Sequence, residues 1–232
     1  MSWQPRAITL DLDETLWPIW PVIDRAEQVL HAWLTQHAPR TAATFDTAGL
    51  RRLREQVGRA HPQRAHDLSW LRQHSIALAL QQCGDDPALA GPAFTLFFAE
   101  RQKVEPFPDV PEALAALAAR VPVLALTNGN ADVQAMGLGQ HFVGVLTARE
   151  FGCGKPAPHF FAAACERLGC APAEVLHVGD DWHLDIEGAH AAGLPSVWVR
   201  RPGHPDKPAT RQAQPLAEVG TLAALVDVLG WG

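Results

Sequence analysis

The chain has 232 residues, 47% of them hydrophobic, and a formal net charge of −6. That is enough apolar material for one large α/β domain or for a core with an insert, and it excludes a disordered chain. Only three lysines are present, Lys103, Lys155 and Lys207, so the charge balance speaks against a nucleic-acid or anionic-membrane surface. The four cysteines, Cys83, Cys153, Cys165 and Cys170, form no CxxC pair, which points to reduced thiols and away from zinc. Met1 to Arg6 is too short for a signal peptide, and no apolar run reaches the roughly 18 residues that span a bilayer. A soluble, cytoplasmic protein is expected. HExxH and GxSxG are both missing, which removes zincins and serine hydrolases.

The first element is a β-prone run at residues 8–10, followed at once by Asp11-Leu12-Asp13-Glu14-Thr15. Side chains two apart on a strand share a face, so Asp11 and Asp13 leave the strand end pointing the same way. An acidic turn capped by Thr15 would look identical, and the pair alone does not decide. From about residue 18 to 107 the chain carries helical patterns at 23–36, 50–59, 68–83 and 93–103, with no convincing strand. Pro106 and Pro108 mark its end.

Beyond residue 108, strands at 121–126, 143–147, 175–178 and 196–199 alternate with helices at 111–120, after Asn130, at 158–168, 186–192 and 222–229. Gly169 and Gly193 fall where helix C-caps belong, and residues 200–215 form a Pro-rich loop. Alternation of this kind specifies a parallel sheet covered by helices. The expected fold is α/β: a Rossmann-like open parallel sheet core from residues 1–17 and 108–232, with an all-helical cap domain at 18–107. The two should pack as separate lobes with a crevice between them.

In an open α/β sheet, ligands bind outside the carboxyl ends of the strands. The first strand here ends in Asp11 and Asp13, the second in Thr127-Asn128-Gly129-Asn130 and the fourth in Gly179-Asp180-Asp181, with Asp185 just beyond. Lys155 lies in the Gly-flanked loop after the third. Singly these are a turn, a cap and a solvated lysine; on successive strand ends they make a site. Gly154-Lys155-Pro156 is not a P-loop, because proline stands where Ser or Thr would bind magnesium. Gly137-Leu138-Gly139 ends a helical stretch and is not a dinucleotide fingerprint. His177 and His183 are expected to pack or face solvent. Trp17, Trp20, Trp33 and Trp70 could stack on a planar substrate, although packing is the plainer role for most of them.

The segments DLDET, LALTNGN, GCGKPAPHFF and VGDDWHLD resemble, in order, the four motifs of haloacid dehalogenase superfamily phosphatases. The resemblance spans the core from residue 7 to about 199, and the insert occupies the position of that family's helical cap. It implies that Asp11 is the nucleophile and Asp13 the general acid and base. Thr127, Lys155 and, more weakly, Asn128 would hold the phosphoryl group. Thr15 would shape the loop.

Several buried carboxylates in one crevice would repel by about 4 kcal/mol per pair at about 4 Å with an effective dielectric near 20, which a divalent cation would relieve. Oxygen-only ligands favour magnesium. The resemblance implies that Asp11, the Asp13 carbonyl and Asp180 bind it, with Asp185 supporting that shell and Asp181 either joining it or capping the next helix.

The expected activity is therefore magnesium-dependent hydrolysis of a small phosphate ester through an aspartyl-phosphate, with no nucleic-acid or membrane partner. The alternatives are a dehalogenase or a phosphomutase of the same fold, or a non-enzymatic phospho-acceptor. Asp13 speaks against a dehalogenase, and a nucleophile on the first strand against a receiver. DLDETLW, LTNGNADVQAMGLGQHF and HVGDDWHLD further resemble bacterial phosphatases of flavin mononucleotide, ribitylaminouracil phosphate and pyrimidine nucleotides. Glu14 departs from the Asp or Gly common in such motifs. Its side chain should face away, with little effect.

Overall fold

The computed structural model describes residues 3–203 and 213–232, so residues 204–212 of the expected Pro-rich loop lie outside the described residues. Contacts divide the chain into two compact units, Met1–Pro18 with Glu105–Gly232, and Ile19–Val104.

Strand β1 (Ala7–Leu10) is buried along its whole length, as its apolar residues require of a central strand covered on both faces. The chain then enters the helical unit: α1 (Ile19–His37), α2 (Pro39–Thr44), α3 (Thr47–Ala60), α4 (Leu68–Cys83) and α5 (Ala90–Arg101). On α1, Val22, Ala26, Leu30 and Leu34 are buried at every fourth position, so one stripe supplies the unit's core. Asp46 and Asp67 cap α3 and α4 by accepting from Gly49 N (2.6 Å) and Trp70 N (2.9 Å), and Gly84, with φ 73°, ends α4. Glu27 lies buried beside this stripe and accepts from Arg51 Nε (2.6 Å) and Arg72 Nη1 (2.7 Å).

The first unit resumes with α6 (Val110–Ala118), β2 (Val123–Thr127), β3 (Gly144–Thr147), α7 (Ala148–Phe151), α8 (Pro158–Leu168), β4 (Val175–Gly179), α9 (Gly188–Ala191), β5 (Ser196–Val199), β6 (Ala217–Val219) and α10 (Leu222–Leu229). The sheet runs β3-β2-β1-β4-β5-β6 with every pairing parallel. Leu10 stands opposite both Ala125 and Val178, so Asp11, the first residue past β1, lies level with Leu126 and Gly179 at the carboxyl ends of β2 and β4. Order reverses at β1, the switch point where α/β sheets bind ligands.

Three expectations change. The segment after Asn130 forms turns instead of a helix, because the Asp132 carboxylate accepts from Gln134 N (2.9 Å) and Ala135 N (3.2 Å), and Gly137 (φ 72°) reverses the backbone. The helix at 186–192 is preceded by a π-helical turn, Trp182–Glu187, and α9 covers only Gly188–Ala191. Strand β6 escapes the pattern because it has three residues, two of them the strand-poor Ala and Glu. Among the described residues, no helix is long and apolar enough to cross a membrane.

Candidate active site

Lys155 lies in the short loop between α7 and α8, and Asn128, just past β2, holds it there. Asn128 Oδ1 accepts from Lys155 N and Asn128 Nδ2 donates to Lys155 O, both at 2.8 Å. This approach needs Gly154, since a Cβ there would lie 2.2 Å from Asn128 Oδ1. The buried Lys155 ammonium then donates to Asp11 Oδ1 and to Asp185 Oδ1 (2.6 Å).

Asp185 is brought back toward the sheet by the π-helical turn after β4. The Asp181 side chain caps that turn by accepting from Leu184 N (2.8 Å), while Asp185 Oδ2 accepts from Asp181 N (2.9 Å). Gly179 leaves room for it, because a Cβ at 179 would lie 2.3 Å from Asp185 Cγ. Asp185 Oδ1 also faces His177 Nε2 at 3.0 Å, and His177 Nδ1 faces the Thr9 hydroxyl at 2.9 Å. Asp185 is thus held at both oxygens.

Thr15 closes the loop after β1. Its hydroxyl donates to Asp180 Oδ1 at 2.9 Å and lies 3.3 Å from Asp11 Oδ2. Its carbonyl accepts from Arg201 Nη2 (2.8 Å) and Nε (3.2 Å), and Arg201 Nη1 donates to Asp109 Oδ1 (2.7 Å). The Asp180 carbonyl accepts from Trp198 Nε1 at 2.6 Å. Trp17 is fully buried and donates through Nε1 to Asp13 Oδ1 (2.8 Å), so it fixes the second aspartate and cannot stack on a substrate. Trp33 stacks on His37 and Trp70 on His74, while Trp20 is exposed. Glu14 adopts a left-handed backbone, φ 61°, a conformation that costs a non-glycine residue about 1–2 kcal/mol.

One ammonium faces three carboxylates whose oxygens lie within 4.8 Å of one another, those of Asp11, Asp180 and Asp185. Burial pushes the Asp11 carboxyl up to about 7 against the pull of Lys155, with Asp185 and Asp13 adding to the rise. Burial, and then the charge of Asp11, push Asp180 up to about 9. Burial acts on Asp185 too, but Lys155 and His177 outweigh it and hold that carboxyl below the usual carboxylate range. Lys155 is raised in turn, its two carboxylates overcoming burial, and burial lowers His177, leaving it neutral at pH 7.

Asp11, Lys155, Asp180 and Asp185 therefore meet, and Asp13 is near enough for its charge to act on Asp11. Thr127 is buried at the end of the adjacent strand, its hydroxyl accepting from Gly129 N (2.9 Å), and Asn128 is committed to the Lys155 backbone. His177, Arg201 and Trp17 are the contributors that sequence reasoning missed. His183, by contrast, is exposed and pairs with Glu187. The signal for His177 was available: it is the one polar residue of Val175–Gly179, on the same strand face as Gly179.

The haloacid dehalogenase-like hydrolase family model matches residues 5–193, and the chain belongs to that family. It is 33% identical to the 5-amino-6-(5-phospho-D-ribitylamino)uracil phosphatase YigB of Escherichia coli strain K12, over 96% of this chain and 95% of that protein. It is 38% identical to a phosphoserine phosphatase of Thermus thermophilus, over 65% of this chain and 62% of that one. A crystal structure of a 2-haloacid dehalogenase from Pseudomonas syringae pv. Tomato DC3000 superposes with a TM-score of 0.89 at 34% identity, covering 98% of this chain and 100% of that chain.

Proposed function

We propose that this hydrolase is a magnesium-dependent phosphomonoesterase that works through an aspartyl-phosphate on Asp11. The observation that carries this reading is the convergence of the Asp11, Asp180 and Asp185 carboxylates on one point, with only Lys155 between two of them. The donors are all oxygens, which suits a hard cation, and the raised Asp11 and Asp180 carboxyls are what burial short of positive charge produces. Asp11, Asp180 and the Asp13 carbonyl would hold magnesium. Asp185, already held by Lys155, His177 and the Asp181 amide, would brace them. Bound there, the ion would neutralise the carboxylates and draw charge off the phosphoryl oxygens.

An Asp11 oxygen forms the bond to phosphorus as the bond to the leaving oxygen breaks, and Asp13 gives that oxygen its proton. Asp13, now a carboxylate, takes a proton from water, whose oxygen displaces Asp11 and releases inorganic phosphate. Lys155 and the Thr127 hydroxyl steady the phosphoryl oxygens throughout. Trp17 keeps Asp13 aimed between these two proton transfers.

The substrate is a small phosphorylated metabolite, with ribitylaminouracil phosphate and flavin mononucleotide the first to assay. The near full-length similarity to the E. coli enzyme supports that order. We assign residues 18–107 as the cap that selects it, inserted directly after the catalytic loop. The Pseudomonas similarity keeps a dehalogenase as the rival, although a dehalogenase needs neither Asp13 nor a cluster suited to a cation. Phosphate release from a panel of monoesters, with magnesium and with EDTA, tests the proposal beside halide release from 2-chloropropionate. Halide release without phosphate release would overturn it.

A further inference from the structure

A chain of buried contacts runs behind the site from Thr9 on β1 to His177 on β4, then to Asp185, Lys155 and Asp11. We infer that Thr9 and His177 are positioning residues: they hold Asp185, and through it the Lys155 ammonium, in place against the nucleophile. This rests on the phosphatase reading above and extends it to two residues that touch no reacting atom.

An ionised carboxylate only accepts hydrogen bonds, so the 3.0 Å contact places a proton on His177 Nε2. In a neutral ring Nδ1 is then an acceptor, and the Thr9 hydroxyl at 2.9 Å donates to it. Asp185 thus sets the tautomer, and Thr9 pairs the buried Nδ1 that this tautomer leaves as an acceptor, pinning the ring from behind. Rotation of the ring is blocked, since His177 is fully buried and Phe161 meets it edge-on with centroids 5.0 Å apart. Asp185 Oδ1 accepts from His177 and Lys155 together, while Oδ2 is tied to the Asp181 amide. With His177 removed, the carboxylate can rotate and carry the ammonium away from Asp11.

Packing and positioning predict opposite orders for two variants. Leu preserves apolar packing without a donor, whereas the Gln amide can replace the Nε2–H. We expect kcat on p-nitrophenyl phosphate to fall about 10–100-fold in His177→Leu and to stay within about threefold of wild type in His177→Gln. Thr9→Val should lower kcat alone, because it leaves the buried Nδ1 unpaired, but add nothing in the His177→Gln background, where no Nδ1 remains to hold. A Leu variant more active than the Gln variant, or a Thr9 effect that persists beside Gln, would overturn the inference.

Nuclear magnetic resonance keeps the outcome separate from the phosphatase reading itself. The His177 ring nitrogens should report the Nε2–H tautomer; an Nδ1–H ring or an imidazolium overturns the proposal whether or not phosphate esters are hydrolysed. With three lysines in the chain, the Lys155 ammonium signal is assignable. It should be protected in wild type and His177→Gln and lost in His177→Leu.

Discussion

Lys155 takes its meaning entirely from its neighbours. It is buried between Asp11 and Asp185, and removing its charge would leave both carboxylates short of a partner. Lys155→Met should abolish turnover and destabilise the protein by about 3 kcal/mol, measured as a lowered urea midpoint. Asp11→Asn separates chemistry from folding, because the amide keeps the shape of a carboxylate whose charge is costly to bury. Its phosphatase activity should fall at least about a thousandfold with little loss of stability by the same urea titration. Asp11, Asp13, Lys155, Asp180 and Asp185 were legible because each follows a recognisable strand in a short motif. Arg201 was not, since its partner Thr15 lies 186 residues away, and for His177 the strand pattern marked only an odd polar residue, not its partner Thr9 168 residues away; no local pattern encodes a contact over such distances.

Elements place these side chains through backbone detail. The π-helical turn Trp182–Glu187, which returns Asp185 to the sheet, appears in sequence only as the start of a helix. Asp109 shows a second kind of tie, joining Arg201 through Oδ1 and the first amide of α10, Leu222 N, through Oδ2 at 2.6 Å. Burial would raise its carboxyl, but the Arg201 and Leu222 hydrogen bonds and the Arg201 charge outweigh it and lower it. A carboxyl depressed by folding adds stability above its unfolded value near about 3.9, and that stability is lost as the pH falls through the folded value. Urea midpoints of Asp109→Asn should therefore decline less steeply than wild type below about pH 4, while lying lower at neutral pH. In the helical unit Glu27 carries a comparable burden, with Arg72 buried against it and stacked over Phe97 at 4.0 Å. Glu27→Ala strands that guanidinium and should cost about 3–5 kcal/mol in a denaturant titration.

At the scale of the whole molecule, a central β1 and the order β3-β2-β1-β4-β5-β6 put residues from four loops at one edge of the sheet. The carboxylates gathered there should make the protein sensitive to a divalent cation even without substrate. Magnesium at about 100 times its dissociation constant would add about 2.7 kcal/mol, raising the melting temperature by about 5–10 °C, and EDTA should reverse the shift. Calorimetry reads this directly; an unchanged melting temperature would count against the metal site.

The sequence by itself determined the parallel α/β core, the helical insert and the motifs at the strand ends. Each rests on residues adjacent in the chain and on the periods of strand and helix. Only the tertiary structure decided that Asn128 serves the Lys155 backbone, that Trp17 is fixed on Asp13, that Glu14 takes a left-handed backbone, and that a buried histidine stands behind Asp185. Those outcomes depend on which strands become neighbours and how closely their backbones approach, as Gly154 and Gly179 show. Such distances are set by packing across the sheet, and periodicity along one segment does not contain them.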